Sequence, residues 1–564
     1  MLARMSNQRS SASGDAQGAA PVGSSESLPE ERAPVLVIGG GLVGLSTALF
    51  LAQHGVRALV VEKHAGTALH PRARGFHPPT VELLAPTGVA EAMLRAGANG
   101  PPGARVGVLT AVTLAGPEIA WHVEEVLPSA VPLSPYPLVG IGQDRLEPMI
   151  LTAARERGAE VRFGAQALSF AEKADSVVAV VEERATGRRY RVRADYLVAA
   201  DGARSPVREA LGVKRSGRGL LGHNISTIVH ADLSPVQREP PFVFAVITHP
   251  EVGGVLVATD VPNGWIYGTR YDPEREAAAD FTEAEWIRRI RIAAGLPDLE
   301  VRVSGTFTWE AAERVVDRMS VGRVFLAGDA AHQMPPTGAW GASTGIQDAA
   351  NLAWKVAAVL RGHAPSALLD TYDAERRPVV AATANQSALL ALRMAAPASV
   401  PEDELVEDAA VVFGYRYGAA EAIPRALRLT GEPGTRAPHV EVALDGGDDC
   451  RLEGGGRRRA STVSLFGVGF VLLAGHAAWV EAAAAIAERT GLPLQAWLVD
   501  GWQEAYGVGG TGASLVRPDG FVAARWPALD ALPDGAPERA MDLALGHALG
   551  MVPAILGDHA PRPG

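Results

Sequence analysis

Val35-Leu-Val-Ile38-Gly39-Gly-Gly41-Leu-Val-Gly44 is the stretch whose reading decides the fold of this chain. The first four residues form an apolar run of the length of a strand buried on both faces. The glycines then fall in the spacing GxGxxG. Leu42 to His54 places apolar residues at helical spacing, and Gly55 suits a C-terminal cap. Val56 to Val61 reads as the next strand, which completes a βαβ unit. Gly39 permits the tight turn, Gly41 lets the backbone approach a pyrophosphate, and Gly44 lets the helix pack on the strand. The helix N-terminus, at Leu42 and Val43, offers free N–H groups and partial positive charge to phosphates. Glu62 ends the second strand, 18 residues after Gly44 and next to Lys63, where a carboxylate can accept from a ribose hydroxyl. This predicts dinucleotide binding without separating FAD from NAD.

A second motif separates them. Val324-Phe-Leu-Ala-Gly-Asp329-Ala-Ala-His332-Gln-Met-Pro335-Pro336-Thr-Gly338-Ala-Trp340-Gly341-Ala342-Ser343 reads as a strand, an acidic turn and a Pro-Gly loop that enters a helix. Asp329 can hold the ribityl hydroxyls of a flavin. The new helix N-terminus can stabilise negative charge on the pyrimidine end of reduced flavin. A third motif, Asp201-Gly202-Ala-Arg204-Ser205-Pro-Val-Arg208, is by itself an Asp-Gly turn into a helix capped by Ser205.

These motifs, in this order, resemble the FAD-dependent aromatic hydroxylases related to p-hydroxybenzoate and phenol hydroxylases. The closest form is the actinobacterial branch acting on polycyclic aromatic polyketides, carried by His70-Pro-Arg72-Ala-Arg74-Gly-Phe76 and by Gly338 to Lys355. The resemblance implies FAD contacts at Asp201 and Gly202, and around Pro336, Gly338, Gly341, Ala342 and Ser343. It places Arg72 and Arg74 near the flavin and its phosphates, and Gln143 near the ribityl chain. It implies NADPH or NADH as transient reductant, O2 as co-substrate, and a flavin C4a-hydroperoxide that hydroxylates the ring. The cofactor does the chemistry, so no catalytic side chain is expected, and His332 is read as structural. A flavin oxidase or Baeyer–Villiger-type oxygenase on the same fold is the alternative, and a non-catalytic binder of aromatic metabolites is a further one.

The fold class is therefore α/β: a Rossmann-like FAD-binding domain with an inserted β-sheet substrate domain, then a C-terminal thioredoxin-like domain. The expected bounds are a disordered tail at 1–33, the FAD domain at 34–430 with the insertion at about 101–140 and 215–315, and the C-terminal domain at 431–564. Phe242, Phe244, Trp265 and Tyr267 lie on β-prone runs of the insertion. Alternation predicts that Phe242 shares a side with Phe244 and Trp265 with Tyr267, as candidate walls for a flat apolar substrate. Arg270 and Trp340 complete the candidate substrate set.

Composition excludes other classes. A net charge of -11 gives no electrostatic case for nucleic acid or anionic membrane, and Arg457 to Arg459 read as a solvated loop. One cysteine, Cys450, excludes an internal disulfide, a redox CxxC pair and cysteine-based metal sites. It fits a reducing cytoplasm, and leaves the C-terminal domain a structural role, in packing or in a homodimer contact. No metal site and no membrane span are expected.

Overall fold

Val35 to Ile38 run through the middle of a parallel sheet, 0 to 8% exposed. The computed structural model describes residues 28–97, 105–125, 133–444, 458–532 and 535–551; Cys450, Arg457 and most of the segment read as a tail lie outside these. The first strand is Glu30–Ile38, beginning ahead of the expected Pro34. Three of its four added residues, Glu30, Glu31 and Arg32, are charged, so hydropathy hides them. The extension runs in parallel register with Arg191 to Ala194, where Glu30 pairs with Arg193 at 2.8 Å, while Glu31 reaches Arg162 of strand Glu160–Phe163 at 2.5 Å.

Among the described residues this sheet runs Ser320–Val321, Val324–Leu326, Arg189–Ala199, Glu30–Ile38, Ala58–Glu62, Glu160–Phe163, with the hairpin Ala165–Glu172 and Val177–Glu183 attached to Arg189–Ala199. From Val324–Leu326 to Glu160–Phe163 all pairings are parallel. Parallel sheets need cover on their faces. Helix Leu42–Gln53 supplies part of it and is itself packed against helices Gln143–Glu156 and Trp340–Leu360. Leu42 and Gly44 through Ala52 are therefore buried.

Among the described residues the insertion forms an eight-stranded sheet in the order His332–Gln333, Arg302–Val316, Arg215–His230, Gly264–Arg270, Gly254–Ala258, Phe242–Ile247, Arg105–Ala111, Glu118–Glu125. It is antiparallel except where Phe242–Ile247 meets Arg105–Ala111. Helix Glu283–Ala294 packs on one face, with Trp286 fully buried. A two-stranded ribbon, Arg74–Phe76 with Val139–Gly142, packs into the core of the parallel-sheet unit through Phe76, Val139 and Ile141.

Among its described residues the C-terminal unit has a six-stranded sheet, Arg458–Ser461, Glu441–Leu444, Leu494–Asp500, Phe470–Ala474, Ala513–Val516, Val522–Trp526. Helices Ala477–Thr490 and Pro537–Ala548 pack together beside it. It is docked by polar contacts as well as by apolar packing. Gln53 Nε2 donates to Gly467 O at 2.6 Å, and the buried Arg436 pairs with the buried Glu82. His54, just past the end of the first helix, meets Val468 of this unit. Burial draws its imidazole down to about 4. A histidine neutral when folded and near 6.5 when unfolded contributes stability above pH 6.5 that is lost as pH falls toward 4. The melting temperature should therefore drop across that window, and His54→Asn should flatten the drop. An unchanged profile in the variant would refute the assignment.

Candidate active site

Three motifs distant in sequence interlock. Gly39 adopts φ +107°, and a Cβ there would meet Ala200 O at 2.2 Å, so the first glycine lies against the backbone leading into Asp201. Val43 fits between Gly328 and Gly345, where a Cβ on either would approach its methyl to 2.6 Å. Arg208, 2% exposed, donates to Ala203 O and Ala330 O, both at 3.1 Å, and so joins the third motif to the second.

The first turn has the shape of a phosphate cradle. A Cβ on Gly44 would fall 1.9 Å from Gly39 O, so the helix packs directly on the loop. A Cβ on Gly41 would meet only Glu147 Oε1, at an ordinary 3.7 Å. The helix N-terminus has no side-chain cap. Glu62, 9% exposed, accepts from Gly40 N at 2.6 Å and His64 N at 2.8 Å. The Lys63 side chain is exposed. Glu147, 1% exposed, accepts from Ala68 N and Gln143 Nε2; burial raises its carboxyl against these bonds and one from the Leu42 N–H.

Asp329 is open to solvent, yet desolvation raises its carboxyl, with the charges of His332 and Arg72 opposing. Both hold for a side chain that reaches solvent while protein atoms crowd around it. Asp201 accepts from Val207 N at 3.2 Å through one oxygen, while the other is buried with no partner. Arg74 also leaves a buried, unpartnered Nε, and burial outweighs Asp260 and Asp144 in lowering its guanidinium. These unsatisfied groups, the open Gly41 position and a helix end whose N-cap is a glycine fit a dinucleotide with hydroxyls and a diphosphate.

The Pro-Gly loop is held at its rim. Pro336, Gly338 and Ala339 are exposed, and Ala339 has φ +54°, rare for a residue with a side chain. Ser387 Oγ donates to Pro335 O, Thr337 Oγ1 donates to Ser387 O, and His77 Nε2 lies 2.9 Å from Gly338 O. Ser343 Oγ accepts from His77 N at 3.3 Å, Ala342 is half-buried, and a Cβ on Gly341 would approach Met334 to 3.4 Å. His332 lies 2.7 Å from Asp348, which also receives Arg376 Nε at 2.8 Å, all of them buried. The three side chains form one buried polar group behind the turn.

The aromatic expectations need correction. Phe242, Trp265 and Tyr267 lie in the core between sheet and helix, with Phe242–Trp265 and Tyr267–Trp286 ring centroids 5.6 and 6.0 Å apart. Trp265 and Tyr267 do share a side, but the side facing Trp286. Phe242 and Phe244 do not share one. A β-bulge between them against Gly107 and Val108 breaks the alternation, so Ala245 and Ile247 join Phe242 in the core and Phe244 does not. Trp340 is also core, packed with Val379 and Phe413.

The sheet's other face is the one available to a ligand. There Val257 and Ile266 pair side by side, with Phe244 opposite Val257, all half-buried. Phe307 and Trp309 continue this face, with Trp309 Nε1 donating to Ser226 Oγ at 3.0 Å. His70 stacks on Phe307 at 5.4 Å and 18°, which brings the Arg72–Arg74 segment to the sheet. Arg270 is exposed at the strand end, beside Asn224. Sequence reading missed Phe307 and Trp309, although their alternation along Thr306 to Glu310 was visible.

The chain is similar to known proteins along most of its length. Residues 32–387 match the FAD binding domain family and residues 430–550 the aromatic-ring hydroxylase C-terminal family. A putative polyketide hydroxylase of Streptomyces halstedii is 41% identical over 88% of this chain and 93% of its own. A 4-methyl-5-nitrocatechol 5-monooxygenase of a Burkholderia species is 38% identical over 92% of this chain and 98% of its own. The structure of aklavinone-11 hydroxylase in complex with FAD and aklavinone superposes with a TM-score of 0.84, at 36% identity, over 92% of this chain and 99% of that one. By fold, motif geometry and these matches, the chain belongs to the FAD-binding aromatic-ring hydroxylases.

Proposed function

We propose that the chain is an FAD- and NAD(P)H-dependent monooxygenase that hydroxylates a polycyclic aromatic polyketide of phenol or quinone type. The observation that carries the substrate class is the broad apolar face of Phe244, Val257, Ile266 and Phe307, turned toward the cofactor side through His70. Such a wall suits a flat ligand with few polar groups. The relatives named above as polyketide and aklavinone hydroxylases support it. The relative named for a nitrocatechol supports a second reading, a single-ring phenol.

In this reading the N–H groups at Leu42 and Val43 hold the FAD pyrophosphate, and Glu62 the adenosine ribose. Arg72 and Arg74 balance phosphate charge, and Asp329, Asp201 and Gln143 take the hydroxyls. The loop from Pro336 to Ser343 cradles the ring system. When bound and reduced by NAD(P)H, FAD supplies activation of O2 and delivery of one oxygen atom. The chain's own part is to orient the substrate ring against the sheet face, with Arg270 at its rim, and to keep water out. The parallel sheet is the Rossmann-like element of this reading, and the C-terminal unit its thioredoxin-like structural support.

Mass spectrometry of products formed with labelled O2, comparing p-hydroxybenzoate, simple phenols and a tetracyclic naphthacenequinone, tests the proposal. Coupled turnover of the small phenols with no reaction of the tetracycle would overturn the substrate class. Oxidised products without added oxygen would overturn the monooxygenase. Phe244→Ala and Phe307→Ala should raise KM for the polycycle by about tenfold, the effect of roughly 1.4 kcal/mol of lost contact. Tyr267→Ala should instead cost about 3–5 kcal/mol of stability, with KM of the folded fraction unchanged.

A further inference from the structure

Asp260 lies in the loop between strands Gly254–Ala258 and Gly264–Arg270, where a side chain is ordinarily solvated, yet its carboxylate is only 3% exposed. A buried carboxylate needs partners, and the three recorded for it come from outside the sheet. Arg145 Nη1 donates to it at 2.7 Å, Gly142 N at 3.4 Å, and Arg74 Nη2 lies at 3.9 Å. Gly142 is the N-cap of helix Gln143–Glu156 and has no side chain to cap it, so an acid from the other domain meets the positive end of that helix. Arg74 and Gly142 are themselves paired across the two-stranded ribbon.

This contact joins two working surfaces. On the sheet side, the strands leaving the hairpin carry Val257 and Ile266, the paired residues of the open apolar face. On the other side, the ribbon and helix carry Arg74, Gln143 and Glu147, which border the cofactor cradle. A ligand lying on Val257 and Ile266 presses on the hairpin whose tip Asp260 fixes. A tip free to move leaves the cleft between the two surfaces free to open to water.

We propose that Asp260 is a positioning residue that latches the substrate face of the sheet to the cofactor side, so that oxygen activated there is delivered to the ring and not released as hydrogen peroxide. The coupling part of this rests on the monooxygenase reading; the latch itself does not. Asp260→Asn keeps the shape and removes the charge, while Asp260→Glu keeps the charge.

Hydrogen exchange on the holoenzyme gives the first measurement. Amides of residues 258–264 should exchange at least about fivefold faster in Asp260→Asn, with residues 242–247 unchanged and Asp260→Glu close to wild type. The second is the fraction of NADPH consumption released as hydrogen peroxide, which should rise severalfold in Asp260→Asn at unchanged FAD content and be restored in Asp260→Glu. Hairpin exchange equal to wild type in Asp260→Asn would overturn the latch. Faster exchange with unchanged peroxide release would overturn its role in coupling. Peroxide release rising only in proportion to FAD loss would also overturn it, by making Asp260 a cofactor-site residue. A wild type with no substrate-stimulated NADPH consumption would sink the monooxygenase reading while the exchange measurement still judged the latch.

Discussion

Gly41→Val should purify folded and colourless, with FAD content at least tenfold below wild type. A side chain at Gly41 has room within the protein, its Cβ meeting only Glu147 Oε1 at 3.7 Å. Its backbone, φ -83° and ψ -170°, is extended and open to any residue. The substitution therefore costs the fold little. It fills the space in front of the helix N-terminus that the proposal gives to the pyrophosphate, and denies a phosphate close approach to the N–H groups. Gly44→Val is the contrast. Its Cβ would fall 1.9 Å from Gly39 O, so it should fail to fold whether or not FAD is supplied. Absorbance at 450 nm per chain and far-UV circular dichroism separate the two. Normal FAD content in Gly41→Val would refute the placement of the pyrophosphate.

Arg517→Ala should cost about 3–5 kcal/mol, the range for removing one partner from a buried ion pair, and should loosen the C-terminal unit. Arg517 donates to Glu375 at 2.6 and 2.8 Å and to Asp519 at 3.0 and 2.5 Å. Asn351 Nδ2 reaches both carboxylates, and Lys355, fully buried, reaches Glu375 at 2.7 Å. Glu375 and Lys355 sit on the two long helices Asp370–Ala395 and Trp340–Leu360, and Arg517 follows the strand Ala513–Val516, so the group bolts the C-terminal sheet to the helices behind the Pro-Gly loop. Without Arg517, the two carboxylates are left with the neutral Asn351 amide and with the Lys355 ammonium beside Glu375. Lys355 is the weaker cation, since burial and the Arg517 charge draw its ammonium down to about 8. Burial opposes the Glu375 carboxylate, but Arg517 and Lys355 hold it well below the usual range. Its contribution is thus intact above the unfolded carboxylate pKa and is lost as pH falls below it. Calorimetry and limited proteolysis near residues 430–440 test this. A melting temperature within 1 °C of wild type would refute it.

What the sequence determined by itself was whatever depends on local chemistry. GxGxxG between an apolar run and a helical pattern specifies a strand–turn–helix, because only glycine fits where Gly39 turns and where Gly44 touches Gly39 O. Asp329 and the Pro-Gly loop were legible for the same reason, and the sheet-rich character of the inserted region was legible from its β-prone runs. The C-terminal α/β alternation was legible from hydropathy period alone. Tertiary structure decided the rest. Alternation assigned Phe242 and Phe244 to one face, but a bulge set by pairing with Arg105–Ala111, more than a hundred residues away, turned them apart. Which face of Trp265 and Tyr267 meets the core was decided by helix Glu283–Ala294, since period 2 defines two faces and names neither. The contacts of Arg74 with Asp260, Arg208 with Ala330 and Arg517 with Glu375 are likewise invisible in one dimension. A charge reads as surface until the fold brings its partner, because burial is affordable only for a pair that the finished packing creates.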